Sequence, residues 1–249
     1  MSEYNKIANY IKDSDFVIEL VDARCPFLYH IPQLPIFSEK FDKEFLVVIT
    51  KCELIPSGHK KTIAKKFNER NINVFFVSAK KRDGILRLAS LLKSRAKDRQ
   101  ISVILFGLPN AGKSTLANAL ISKHSAGTSP VPGHTRGIQF LKMSKNVMLH
   151  DTKGITNIKK YSELESALFS KNPENVFFLV EKLLEANNGN LDQYGVDLPS
   201  CKKEAELFLE KFAKEKNFIF QNNIIDIHRA KGKIISDWHK GKLTGWWID

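Results

Sequence analysis

Gly107-Leu108-Pro109-Asn110-Ala111-Gly112-Lys113-Ser114-Thr115 follows the apolar run Ile101-Ser102-Val103-Ile104-Leu105-Phe106 and precedes the helix-like Leu116-Ala117-Asn118-Ala119-Leu120. In that strand–loop–helix context, G-x-x-x-x-G-K-[ST] is a phosphate-binding loop. The glycines let backbone N–H groups turn inward around phosphate oxygens, and the new helix presents its positive end to the same anion. Asn110, Ala111, Gly112, Lys113, Ser114 and Thr115 are expected to cradle a triphosphate. Lys113 would reach the β and γ phosphates, and Ser114 would offer a hydroxyl to Mg²⁺. The sequence implies a nucleoside triphosphate ligand.

Outward from the loop, short apolar runs alternate with helical patterns, as in an α/β domain with a largely parallel sheet. Candidate strands are Phe16–Val21, Phe45–Ile49, Val74–Val77, Ser102–Phe106, Ile138–Lys142 and Val147–His150, with helices expected at about 59–70, 84–96 and 113–123. Ser125–Gly137 lacks apolar periodicity and is rich in Gly, Pro and Thr, so it is expected to be a loop. After Gly154 strand runs stop and amphipathic helical patterns dominate, for instance Ala205, Phe208, Leu209 and Phe212 on one stripe. The expected architecture is a P-loop domain over residues 1–160, with a six-stranded, mostly parallel sheet and helices on both faces, and a smaller all-α domain over 161–249.

A nucleotide site needs more than its phosphate loop. Asp151-Thr152-Lys153-Gly154 ends a strand about 40 residues downstream, where Asp151 can hold Mg²⁺ and Gly154 can turn an N–H to the γ-phosphate. Between them, Thr135 in Pro132-Gly133-His134-Thr135-Arg136-Gly137 is the candidate for a second Mg²⁺ hydroxyl and for γ-phosphate sensing. Base recognition has no downstream candidate. Upstream, Thr50-Lys51-Cys52-Glu53 and Ser78-Ala79-Lys80 each end a strand, and ligands in open α/β sheets sit at the carboxyl ends of strands. A carboxylate at Glu53 would accept N1–H and N2–H of guanine. The chain therefore visits the base segments first and the phosphate segments second, a G domain rotated in sequence.

These motifs, with Asp22-Ala23-Arg24 closing the first strand and Gly241-Lys242-Leu243 near the end, resemble the circularly permuted GTPases of the YlqF/YawG type. The resemblance is close over residues 10–155 and loose over 156–249. It implies GTP and GDP as ligands, Mg²⁺ as cofactor, and a role in ribosome assembly on rRNA or a ribosomal subunit, the large one being favoured. Lys113, Thr135 and Gly154 would carry the catalytic contacts. Asn110 matches the position that binds K⁺ in several such enzymes. Ile155 stands where many GTPases place a water-orienting Gln, which implies slow intrinsic turnover stimulated from outside by K⁺ or the ribosomal partner. The family's N-K-x-D is here T-K-x-E: Thr50 loses an amide donor and Glu53 is one methylene longer, leaving weak guanine selectivity open.

Composition limits the partners. A net charge of +12 and a pI near 9.5 favour polyanions, and nucleic acid is the usual one. Residues 1–99 hold 19 Lys/Arg against 12 Asp/Glu, so the basic surface is expected mainly there, with a contribution from His228, Arg229, Lys231, Lys233 and Lys240. Trp246 and Trp247 are candidates either for RNA stacking or for helix packing. No run approaches the roughly 18 apolar residues of a membrane span, and the start does not resemble a signal peptide. Cys25, Cys52 and Cys201 are too few and too scattered for disulfides or zinc, so reduced thiols in a cytoplasmic protein are expected. A monomer without a membrane partner is also expected. His150 is expected to be a strand-packing residue. Two alternatives stand beside the GTPase: a nucleotide-binding RNA adaptor with negligible turnover, and a P-loop ATPase with relaxed base choice.

Overall fold

The computed structural model describes residues 3–121, 138–152, 162–169, 173–186, 189–196, 205–220 and 223–248. The chain divides into two compact units, Met1–Lys159 with Ile248–Asp249, and Lys160–Trp247.

In the first unit the elements run α1 (Glu3–Lys12), β1 (Phe16–Asp22), α2 (Pro26–Tyr29), α3 (Gln33–Lys40), β2 (Glu44–Thr50), α4 (Ser57–Asn68), β3 (Val74–Phe76), α5 (Ile85–Ala96), β4 (Ile101–Phe106), α6 (Lys113–Ile121), β5 (Ile138–Ser144) and β6 (Val147–Thr152). The six strands form one sheet in the order β3-β2-β1-β4-β6-β5. Every pairing is parallel except β5 with β6. All six expected strands are present. Helix α1 was not anticipated, although Ile7 and Ile11, four residues apart and both fully buried, carry its signal.

Strand β1 is buried at all seven positions, so the sheet is covered on both faces there. Its sequence, Phe-Val-Ile-Glu-Leu-Val-Asp, contains a glutamate that is also fully buried. Glu19 is accommodated because Ile31 N–H donates to Oε1 at 2.5 Å and His30 Nδ1 lies 2.8 Å from Oε2. Burial raises its pKa, and those partners oppose the rise. Leu20 on the same strand is fully enclosed, so Leu20→Ala is expected to cost about 2–5 kcal/mol, read from the urea midpoint of unfolding.

The register aligns the strand ends. Asp22 pairs with Thr50, Glu19 with Phe106, and Leu105 with Asp151. Four parallel strands, β1, β2, β4 and β6, therefore deliver Asp22, Thr50, the segment after Phe106 and Asp151 to their shared carboxyl end.

The second unit contains α7 (Glu163–Phe169), α8 (Val176–Ala186), α9 (Ala205–Glu215) and α10 (Ile227–His239). An antiparallel bridge, Ile219 with Ile225, joins the last two helices. The stripe Ala205, Phe208, Leu209 and Phe212 is buried, as are Ala230, Ile234 and Trp238 of α10. Trp247 stacks on Trp238 with ring centroids 5.6 Å apart and is buried, so packing accounts for it and base stacking does not. Part of the basic pattern is also internally neutralised. Lys233 pairs with Asp237, and Glu174 lies within 3.9 Å of Lys231 and 3.5 Å of His228.

Candidate functional site

Loop 107–112 leaves the carboxyl end of the central strand β4 and turns directly into α6, whose first bond runs from Leu116 N–H to Gly112 C=O at 2.9 Å. Gly112 has φ +97 and Asn110 φ +62, both in the left-handed region. A side chain would strain the first, and asparagine tolerates the second. The Lys113 ammonium folds back over the loop, donating to Gly107 C=O at 2.5 Å and to Leu108 C=O at 3.2 Å. Burial lowers its pKa, and Asp151 pulls the other way. A polyphosphate would favour the charged form. The Ser114 hydroxyl donates to Asp151 Oδ2 at 3.1 Å. One hydroxyl and one carboxylate, side by side at a phosphate loop, are the hard oxygen donors that suit Mg²⁺ shared with a substrate's phosphates. No cluster of three or more acidic, histidine or cysteine residues that would form an all-protein metal cage occurs among the described residues.

The upstream segment meets this loop. Thr50 Oγ1 lies 2.7 Å from Ala111 C=O and 3.0 Å from Val21 C=O, and Thr50 is buried. Its hydroxyl thus ties β2 to the phosphate loop, a different task from donating to a base. Lys51, at φ +56, lays its ammonium 2.8 Å from Asn110 C=O and 2.7 Å from Asp22 Oδ2. Glu53 follows on a short 3-10 turn, Cys52–Leu54. Its Oε2 is buried and has no hydrogen-bond partner among the described residues. An unmatched buried carboxylate oxygen is costly, and a ligand with two adjacent N–H donors would relieve it.

The third segment lies beside the second. Cys52 N–H donates to Val77 C=O at 3.3 Å, which sets Ser78 next to the Glu53 turn. Ser78 is buried, and its Oγ accepts Lys81 N–H at 3.0 Å, closing a loop that returns through Ser78 N–H to Asp83 C=O at 2.9 Å. Gly84, at φ +75, is required there because a Cβ would stand 2.3 Å from Phe76 C=O. Ala79 is half-buried and Lys80 exposed on the same loop. Of the remaining sequence candidates, Thr135, Gly154 and Ile155 lie outside the described residues. His150 packs edge-on to Phe140 at 4.6 Å, as its strand position implied.

Asp22 and Arg24 had been noted only as a family mark. Both are fully buried. Arg24 donates to Asp22 through its backbone N–H and Nε, each at 3.0 Å to Oδ1, and through Nη2 at 2.8 Å to Oδ2. Burial alone would raise the Asp22 pKa, yet Arg24 and Lys51 together hold it well below the usual carboxylate range. The i, i+2 acid–base pair at a strand end was the available signal.

Burial pushes the Cys52 thiol up to about 12 and raises Cys25 well above its ordinary value. With Cys201 changed to serine, the native protein is expected to resist iodoacetamide at pH 8 and to take up label only on unfolding. Rapid native labelling would contradict the burial of both thiols.

Residues 13–160 match the family described as RsgA GTPase, and residues 102–221 match the 50S ribosome-binding GTPases. An uncharacterized GTP-binding protein of Methanocaldococcus jannaschii is 30% identical over 98% of this chain and 67% of its own length. Nucleolar GTP-binding protein 2 of Saccharomyces cerevisiae is 28% identical over 98% of the chain and 52% of its own length. The chain thus spans about half the length of such nucleolar relatives. Among solved structures, GDP-bound YlqF superposes with a TM-score of 0.67 at 21% identity, covering 95% of both chains. GNP-bound YlqF from T. maritima gives 0.64 at 22% identity, over 96% of this chain and 93% of the other.

Proposed function

The chain belongs to the RsgA GTPases and shares the fold of YlqF, and we propose that it works as a circularly permuted GTP hydrolase and GTP-gated switch in ribosome assembly. The observation that carries this is the meeting of the Thr50–Glu53 segment with the phosphate loop, through Thr50 to Ala111 and Lys51 to Asn110, beside an unmatched Glu53 oxygen. One bound nucleotide would span both segments, its base at Glu53 and Ser78–Lys80 and its phosphates at 110–115. Ser114 and Asp151 would hold Mg²⁺, with Thr135 as a further hydroxyl, and the ion would offset charge on the β and γ oxygens. Lys113 would donate to the same oxygens, and Gly154 would sense the γ-phosphate.

Turnover is slow in this reading, because Ile155 has no polar group with which to orient water. A K⁺ against Asn110 and contact with the particle would supply the missing stabilisation. The partner is rRNA or a ribosomal subunit, which the chain's net charge of +12 suits, and the description of the matching family favours the large one. Action in the cytoplasm belongs to the same reading. Among the described residues no helix is long and apolar enough to cross a membrane.

The test is co-sedimentation with ribosomal subunits under GDP and under a non-hydrolysable GTP analogue, across a salt series. Retention should differ between nucleotides and weaken steeply with salt. Equal retention in both states removes the switch. An adaptor with negligible turnover, the reading that Ile155 favours, would bind particles yet release no phosphate over many nucleotide equivalents.

A further inference from the structure

Asp22 sits at the end of β1, fully buried, with four donors on its two oxygens: Arg24 N–H and Nε on Oδ1, and Arg24 Nη2 and the Lys51 ammonium on Oδ2. Two cations share one carboxylate, so the cluster carries a net positive charge beneath the phosphate loop. Lys51 is the element that touches the loop, through Asn110 C=O at 2.8 Å. Its backbone is already in the left-handed region at φ +56, and Asn110 is likewise at φ +62. Two residues in uncommon conformations are thus joined by one ammonium, and that ammonium is held from behind by Asp22.

An isolated lysine would spread its head group over many rotamers, and fixing it costs side-chain entropy. The buried carboxylate removes that freedom before any ligand arrives. A buried carboxylate with a single cation often contributes little net stability. Here the second cation points at the ligand loop, which gives the pair a use beyond packing.

We propose that Asp22 is a positioning residue of the nucleotide site, acting through Lys51: it pre-orders the Lys51 ammonium on Asn110 C=O and so holds the phosphate loop in its anion-binding shape. Arg24 balances Asp22 and keeps it ionised when Lys51 moves. This rests on the nucleotide reading above. It adds that base-side and phosphate-side segments are coupled through a carboxylate that touches neither base nor phosphate.

The test is a thermodynamic cycle on GDP affinity in the full chain, with Asp22→Asn, Lys51→Met and the double variant. Each single change is expected to weaken GDP about tenfold or more, and the double variant no further than Lys51→Met alone. A purely structural ion pair would lower the melting midpoint without this coupling in affinity. Parent-like GDP binding by Asp22→Asn, or losses that simply multiply, would overturn the proposal. Should Asp22→Asn fail to fold, Asp22→Asn with Arg24→Gln removes one charge of each sign, and the same cycle is run from that pair with the same expected non-additivity. A parent chain that binds neither GDP nor ADP would instead overturn the nucleotide reading itself.

Discussion

Replacing Lys113 by methionine is expected to lower GTP turnover about 10²- to 10³-fold, the usual cost of removing one preorganised group that faces developing charge. Its ammonium caps two carbonyls of its own loop, Gly107 at 2.5 Å and Leu108 at 3.2 Å, and the residue is half-buried. A partly desolvated cation held only by neutral carbonyls gains when an anion enters beside it. Methionine keeps most of the stem's length and apolar contact, so the melting midpoint should stay close to the parent's. The measurement is single-turnover phosphate release at saturating protein, paired with the affinity for a non-hydrolysable analogue. Hydrolysis at the parent rate would remove Lys113 from the site.

Glu53→Gln is expected to weaken GDP binding roughly 10- to 150-fold while strengthening binding of xanthosine diphosphate. The buried Glu53 Oε2 has no donor among the described residues, and a carboxylate so placed suits the paired N1–H and N2–H of guanine. A glutamine there would set its own N–H against guanine N2–H, donor facing donor. Xanthine carries a carbonyl at that position and accepts the amide. Because Thr50 spends its hydroxyl near Ala111 and Val21 carbonyls, the carboxylate bears most of the discrimination, and the exchange of preference should be large. Competition of the two diphosphates on parent and variant reads it directly. An unchanged GDP preference in the variant would place the base elsewhere.

The departure from N-K-x-D looks different once geometry is known. In sequence, Thr50 in place of asparagine reads as a lost base contact. In the fold, its short β-branched side chain suits the end of a buried strand, and its oxygen reaches across to a loop 61 positions later in the chain. The lysine of the same motif also proves to be a bridge, from Asp22 to Asn110. Neither role could be read locally, because each partner lies on a different strand end.

The six strands were legible because the strands are short and apolar, β2 and β4 most continuously so, as a covered parallel sheet requires. The phosphate loop was legible because its glycines and lysine stand at fixed offsets that one turn dictates. Helices α2 and α3 were not, since Pro26-Phe27-Leu28-Tyr29 and Gln33–Lys40 are too brief for helical periodicity to emerge. For Trp247 the sequence favoured packing without excluding a ligand, because an apolar aromatic near a basic helix carries the same local signal whether it faces a core or a ligand; the structure packs it on Trp238.

Local chemistry alone determined the shape of the Gly107 to Thr115 loop and the expectation that it wraps a phosphate chain, since backbone dihedrals and neighbouring residues suffice for that turn. Partnership between the Thr50–Glu53 turn and that loop arose only when β1, β2 and β4 aligned in register, because hydrogen bonding between parallel strands joins residues that sequence distance keeps apart.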